Sequence, residues 1–343
     1  MRVLILGEDA PGGLMGSYAR AFAELGATVR TYCLARAYQS VMPAIRTRAL
    51  RRVAERVLLS AFNDRVIADL ADAEDDLVLV LKGHRLRPAT VDALRERTDA
   101  PVVNFFPDDP FSTERSNRLA FGTAVLAAYD LCFTFARHLL PAYERAGVRA
   151  AHYLPFARDP WQHGPVTTSL AHEFDVVFVG NLDDERVGCL DALASQQFRI
   201  GVFGERTAAV VSKGSALSRA TFGPPAYGQS LSMTLARGAI SLNVMRTQNA
   251  QSHNMRSFES PACGAFTLSQ RTGELTELFA EGEEVACFGS VTELCDQARR
   301  WLDDRQGRDR VARAGFERVR DDTYVRRATT ILERAGIGVG SMP

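Results

Sequence analysis

Apolar runs punctuate the first half of the chain, with room for a helix between successive runs. Residues 3–6, 77–81, 102–106 and 131–135 are such runs, and 29–34 adds a further strand-like segment. Near-continuous apolar runs predict strands buried on both faces of a parallel sheet. Between the first two segments, Tyr18, Phe22 and Leu25 fall at helical spacing, and Gly26 stops the helix. This β-loop-α-β opening predicts a doubly wound α/β fold. Residues 46–71 are rich in arginine and contain neither Pro nor Gly, which predicts a solvated helix pair. Residues 136–146 read as a helix ended by Gly147, and residues 152–155 lead out of the domain.

Periodicity then lapses. Residues 158–172 contain Pro160, Gly164 and Pro165 among polar residues and read as an interdomain linker. Beyond them the pattern restarts. Strands are expected at 176–179, 200–203, 239–244 and 265–269, and helices at 185–193, 274–279, 291–302, 308–319 and 325–332. Residues 221–229 hold two prolines, two glycines and Tyr227 and read as a loop, whose rings either stack on a base or simply pack a turn. Residues 336–343 read as a frayed tail. At 343 residues two domains are the natural expectation. The boundaries implied are 1–157, a linker at 158–172, 173–322, and a terminal helix and tail at 323–343.

Charge and cysteine content narrow the functional classes. Lys+Arg and Asp+Glu both number 41, which argues against a nucleic-acid binder driven by bulk charge. The six cysteines are scattered, with no CxxC pair and no Cys/His cluster at zinc spacing. That usage fits a reducing cytoplasm. No apolar run approaches the roughly 18 residues of a membrane span. Residues 2–7 are short and run into a glycine-rich loop, as a first strand does and a signal peptide does not.

Candidate chemistry collects where strands end, since open α/β sheets bind ligands beyond their carboxyl edges. The first loop, GEDAPGGLMG, is not the dinucleotide fingerprint, and Cys33-Leu34-Ala35 supplies no acid for a ribose. Its Gly12-Gly13 pair fits a tight turn needing positive φ. Lys82-Gly83-His84 follows the third strand, and Pro107-Asp108-Asp109-Pro110 follows the fourth. Lys82, His84, Asp108 and Asp109 together offer a cation, an imidazole and carboxylates for acid–base or hydroxyl-binding work. The alternative for Asp108-Asp109 is a capped turn. In the second half, Gly180-Asn181-Leu182 and Gly204-Glu205-Arg206-Thr207 close two strands. Arg186, Arg206 and Lys213 are cations available to a diphosphate, or plain surface residues.

Residues 251–266, QSHNMRSFESPACGAF, follow one strand and precede the next. Ser252, His253 and Asn254 suit a helix start. Met255, Phe258 and Ala262 share a core-facing side, whereas Arg256, Glu259 and Cys263 share another. Gly264 ends the helix, and Pro261 demands a kink or a short helix. A helix start beyond a strand suits a phosphate, and Arg256 with Glu259 could hold a diphosphate and a ribose. The same spacing also describes an ordinary surface ion pair.

The stretch FESPACGAFTLSQRTGELTELFAEGEEVACF resembles the C-terminal half of the GT-B glycosyltransferases, in particular the CgeB-like spore-maturation group. A Lys82-Gly83 pair and a Pro-Asp-Asp-Pro turn are similar to that group as well, and Gly12-Gly13 is similar to the Gly-Gly pair that lines the cleft in many GT-B enzymes. The resemblance implies an α/β GT-B fold of two doubly wound Rossmann-like domains facing a central cleft, with the last helix crossing back to the first domain. In the retaining GT-B enzymes a related helix carries two glutamates eight positions apart, the second binding the ribose. Glu259 matches the second, whereas Gln251 stands at the first, leaving any role for that position open. The activity implied is transfer of a sugar from a UDP-, GDP- or TDP-sugar to an acceptor hydroxyl on a glycan, protein or small molecule.

The expected donor-binding residues are Glu259, Arg256, Asn254, Ser252, Gly180, Asn181, Arg206, Gly12 and Gly13. Those expected to act on the acceptor are Asp108, Asp109, Lys82 and His84. No obligatory metal and no tightly bound cofactor are expected, since no Asp-x-Asp stands in a metal context. Retention of configuration follows only from the resemblance. Two other readings stay open, a non-catalytic assembly or partner protein, favoured by Gln251, and a sugar-nucleotide epimerase.

Overall fold

The computed structural model describes residues 1–41, 48–72, 74–166 and 172–338, and only the backbone of residues 48–53. The chain divides into two compact units. One contains Met1–Pro155 together with the segment from Tyr324 onward, and the other is Phe156–Thr323.

The first unit is built on β1 (Arg2–Gly7), β2 (Thr28–Cys33), β3 (Leu77–Leu81), β4 (Val102–Phe106), β5 (Leu131–Thr134) and β6 (Ala151–Tyr153). They form one sheet in the order β2-β1-β3-β4-β5-β6, with every pairing parallel. Every residue of β3 and β4 is buried, as helices on both faces of a parallel sheet require. β6 was not expected from the sequence. It is a three-residue edge strand of intermediate burial, so it carries no apolar run to reveal it. In place of a helix pair, the arginine-rich region forms one helix, Arg48–Asp69, and residues 46–47 lie outside the described residues. Leu58, Leu59, Phe62 and Val66 are buried along one stripe of that helix, which explains its continuity better than solvation does. The final helix, Tyr324–Arg334, belongs to this unit, and its Tyr324 ring meets Tyr18 edge-on at 5.2 Å.

The second unit repeats the plan with β7 (Phe174–Val179), β8 (Ile200–Phe203), β9 (Thr221–Gly223), β10 (Gly238–Asn243), β11 (Thr267–Gln270) and β12 (Ala286–Phe288). Their order is β12-β11-β10-β7-β8-β9, again wholly parallel. β9 is a second short edge strand, in a stretch whose prolines and glycines read as loop. The helix Val291–Asp303 shows how local sequence and packing agree. The Ser290 hydroxyl caps it by accepting from the Glu293 N–H at 3.1 Å, while Leu294, Cys295, Ala298 and Trp301 enter the core.

Residues 158–166 of the expected linker belong to this unit. Asp159 is fully buried, and its carboxylate accepts from the Trp161 N–H (3.1 Å) and the Gln162 side-chain amide (2.6 Å). Burying a charge requires such partners, and they tie the segment down. Residues 167–171 of the expected linker, and 339–343 of the expected tail, lie outside the described residues.

Candidate functional site

In the first unit the sheet's carboxyl edge carries Lys82 and Asp108. Lys82 and Gly83 both have left-handed backbone, φ 64° and 63°, so the chain turns sharply as it leaves β3. A Cβ at Gly83 would stand 2.7 Å from a Val80 methyl, so this turn requires glycine. The turn delivers Lys82 Nζ to within 2.7 Å of Asp108 Oδ2 and 3.3 Å of Asn117 Oδ1. His84 titrates near these charges. Burial above all, then Arg85 and Lys82, push its pKa down to about 3, so the ring is neutral at physiological pH.

Asp109 has a different task. Its Oδ1 accepts from the Phe111 N–H at 2.8 Å, the bond of an Asx turn, and its carbonyl accepts from the Ser112 hydroxyl at 2.9 Å. Adjacent in sequence, the two aspartates thus divide between an ion pair and a turn. Gly12 is left-handed, with φ 66°, and a Cβ at Gly13 would lie 2.9 Å from the Ala10 carbonyl oxygen. Both glycines therefore satisfy the needs of the turn that precedes the helix Leu14–Glu24.

In the second unit, the loops after β7 and β8 touch backbone to backbone. A Cβ at Gly204 would come within 2.2 Å of the Gly180 carbonyl oxygen, so only glycine allows this approach. Asn181 joins the same two loops, its Oδ1 accepting from the Glu205 N–H at 3.2 Å. Its carbonyl accepts from Arg186 Nη1 at 2.9 Å, and the rest of that buried guanidinium donates to the Val244 carbonyl. The charges of Arg246 and Arg256 act on Arg186, whose side chain reaches the Val244 carbonyl just beyond β10 as that of Arg256 reaches the end of β7. Arg206 and Lys213 are exposed, Arg206 with left-handed backbone (φ 53°).

The helix Arg256–Ala262 is short, as Pro261 demands. Of the three expected starting residues, Asn254 alone caps it, its Oδ1 accepting from the Ser257 N–H at 3.1 Å. Its amide donates to Asn243 Oδ1 at 2.8 Å, anchoring the helix start to β10. Ser252 is fully buried with its hydroxyl 3.4 Å from the His253 carbonyl, so it faces inward. His253 is also fully buried. Its Nε2 accepts from the Phe156 N–H, so Nδ1 carries the proton and donates to Glu274 Oε1 at 3.1 Å. At the other end Gly264, φ 73°, closes the helix. Its own N–H bonds the Pro261 carbonyl and the Ala265 N–H bonds the Ser260 carbonyl, both parts of a Schellman cap.

Arg256 and Glu259 meet on this helix, Nη1 to Oε2, at 2.9 Å. That nitrogen is buried and lacks the alignment of a hydrogen bond, so the contact is charge pairing. Nη2 reaches the Val179 carbonyl at 3.3 Å, which brings the side chain to the end of β7. Glu259 is only 6% exposed. Its second oxygen, Oε1, faces His163 Nε2 at 3.8 Å.

Sequence reasoning missed His163 and Arg246. His163 lies in a Pro- and Gly-containing stretch with no periodicity to orient it, and Arg246 follows the end of β10 without a motif. Gln251 is exposed, and its backbone carbonyl accepts the Glu274 N–H. Among the described residues, no helix is long and apolar enough to cross a membrane.

A family model described as glycosyl transferase-like matches residues 186–333. No curated protein matches the chain by sequence. Among solved structures, sucrose-phosphate synthase from Thermosynechococcus elongatus is similar to it with a TM-score of 0.71 at 15% identity, covering 97% of this chain and 98% of that one. Anabaena HepE in complex with UDP-glucose gives a TM-score of 0.66 at 15% identity, covering 98% and 99%. T4 phage BGT in complex with its UDP-glucose substrate gives 0.61 at 12% identity, covering 98% and 100%. At these identities the likeness concerns the fold, which is the GT-B fold of two parallel six-stranded sheets flanked by helices.

Proposed function

We propose that this chain is a nucleotide-sugar-dependent glycosyltransferase, with its donor bound by the second unit. The observation that carries the reading is the Arg256–Glu259 pair at the end of β7, its carboxylate buried, with Arg186 in the field of Arg256 and Arg246. A carboxylate held in this way can accept the two hydroxyls of a ribose, and guanidinium groups suit a diphosphate. The glycosyl transferase-like match over residues 186–333 supports the same assignment. UDP-glucose in solved structures of this fold favours a UDP-sugar over the GDP- and TDP-sugars that the sequence left open. The CgeB-like group and retention of configuration complete the reading on resemblance alone, and a cytoplasmic location on the cysteine usage.

In the proposed reaction the bond between the anomeric carbon and the diphosphate oxygen breaks, and the acceptor oxygen bonds to that carbon. The acceptor's proton passes to a base, and the released electron pair stays on the diphosphate. Stabilising that growing charge is the main electrostatic demand, and Arg256 with Arg246 would meet it without a metal. In the first unit, Asp108 beside Lys82 is the candidate base, with neutral His84 near by. The acceptor is a hydroxyl on a glycan, protein or small molecule.

A thermal-shift series with UDP, GDP, TDP, ADP and CMP tests the donor assignment, because a ligand that binds only the folded state raises the melting temperature. A selective rise with UDP is expected, and no rise with any nucleoside diphosphate would refute it. The exposed Gln251 favours one other reading, binding without catalysis. Binding of UDP-sugars with neither transfer nor hydrolysis would establish that alternative.

A further inference from the structure

His163 makes a contact whose geometry suggests a task. Its ring is 4% exposed, and its Nδ1 accepts the Asp159 N–H at 3.1 Å. In the neutral ring the proton therefore sits on Nε2, and that N–H faces Glu259 Oε1. Asp159 is itself locked by its bonds to Trp161 and Gln162. A chain of support thus runs from Asp159 through the imidazole to the carboxylate. The 3.8 Å gap between Nε2 and Oε1 exceeds hydrogen-bond length. The terminal torsion of a glutamate is broad, so a modest turn of the carboxylate closes the gap.

The lone pairs of Glu259 explain why this support is needed. A carboxylate has about four acceptor positions. Arg256 covers one side of Oε2 by charge pairing at 2.9 Å, and the His163 N–H would occupy one side of Oε1. One position on each oxygen then remains, side by side, as two adjacent ribose hydroxyls require. With Arg256 alone, the carboxylate can rotate about its last torsion and lose that match. We propose that His163 is a positioning residue that fixes the plane of Glu259 for the 2′- and 3′-hydroxyls of the donor ribonucleotide. This rests on the reading of Glu259 as the ribose acceptor.

The distinguishing readout is the ratio of affinities for UDP and 2′-deoxy-UDP, measured by calorimetry. The unaltered protein should prefer UDP by at least about tenfold. In His163→Phe, which keeps the ring but removes both nitrogens, the preference should fall to within about twofold. In His163→Gln, whose amide can still donate towards Glu259, most of it should return. A purely structural role would weaken both ligands equally and leave the ratio unchanged, which would overturn the proposal. Should His163→Phe fail to fold, nitrogen NMR of the unaltered protein decides the matter. The proposal requires the Nε2–H tautomer and a change in that resonance with UDP that is smaller with 2′-deoxy-UDP. The opposite tautomer, or equal changes, would overturn it. If Glu259→Ala abolishes the preference while His163→Phe keeps it, His163 is excluded and the donor site stands. If the unaltered protein binds neither ligand, the donor site falls as well.

Discussion

Replacing Glu259 by alanine separates a binding role from a structural one, because the structure sets both expectations. The substitution leaves the Arg256 guanidinium without its carboxylate. Stranding a buried charge costs about 3–5 kcal/mol. Arg256, however, retains 19% side-chain exposure and its bond to the Val179 carbonyl. The loss should therefore lie at or below the lower end, about 3 kcal/mol. For a unit of this size that lowers the melting temperature by at most about 6–12 °C, so the variant stays folded at room temperature. The binding cost is separate. Two ribose hydroxyls on one carboxylate contribute about 1.5–3 kcal/mol each before water replaces them. Even one such contribution gives at least about a tenfold loss of UDP affinity. Glu259→Gln serves as the control, since it keeps the shape and an acceptor oxygen of the side chain but not the charge that pairs with Arg256. It should recover the packing part of the stability, not the charge pairing, and part of the affinity. Calorimetry with UDP well below each melting temperature reads the binding, and circular dichroism reads the melting. Wild-type affinity in a folded Glu259→Ala variant would remove this residue from the site.

Three further outcomes follow from the same geometry. If Arg256 and its neighbours hold the phosphates, uridine should bind at least about tenfold more weakly than UDP, since charge-assisted contacts contribute about 1.5–3 kcal/mol each; equal affinities in calorimetry would place the phosphates in solvent. In the first unit, Asp108→Asn should lower the transfer rate by about 10²–10⁴ with UDP affinity unchanged. Asp109→Asn keeps the acceptor its turn uses and should leave both rate and affinity near wild type, so a rate loss equal to that of Asp108→Asn would contradict the division of labour. The third concerns pH. Burial lowers the His163 pKa against the opposing pull of Glu259 and Asp159, with Arg256 and Arg158 adding to the lowering. The unfolded chain thus takes up its proton first, and this contribution to stability is present above about pH 6.5 and lost as pH falls below it. Protonation of Nδ1 in the folded protein, which waits for the lowered pKa, also displaces the Asp159 N–H, so the preference for UDP over 2′-deoxy-UDP should decline further into acid than the onset of the stability loss. In His163→Phe, the remaining preference should not vary with pH there.

The interior of both sheets was legible because parallel strands buried on two faces leave apolar runs, as at 77–81, 102–106 and 200–203. The edges were not. β6 and β9 are three residues long and incompletely buried, and no local pattern separates them from loop. The same contrast holds at the candidate sites. Arg256 and Glu259 could be paired from spacing alone, and Gly264 from its helix-ending position, since all three depend on one helix. Three adjacent residues of similar capping chemistry hid the fact that only Asn254 caps. That choice is made by Asn243 on β10, a tertiary partner. Likewise Asp108 and Asp109 look equivalent until Lys82 selects one and the Phe111 N–H the other. His163 was invisible for the strongest form of this reason. Its meaning lies in Glu259, a residue distant in sequence that only the folded second unit brings beside it.

Incubation of the full chain with UDP-glucose labelled in the sugar tests the central claim most directly, with the released nucleotide and the fate of the label followed together. The account predicts that UDP is released with the sugar passed to an added acceptor or, slowly, to water, and that Glu259→Ala and Asp108→Asn each suppress the release. An unchanged UDP-glucose pool with every nucleotide sugar and acceptor tried, or label recovered as a different sugar still joined to its diphosphate, would contradict it.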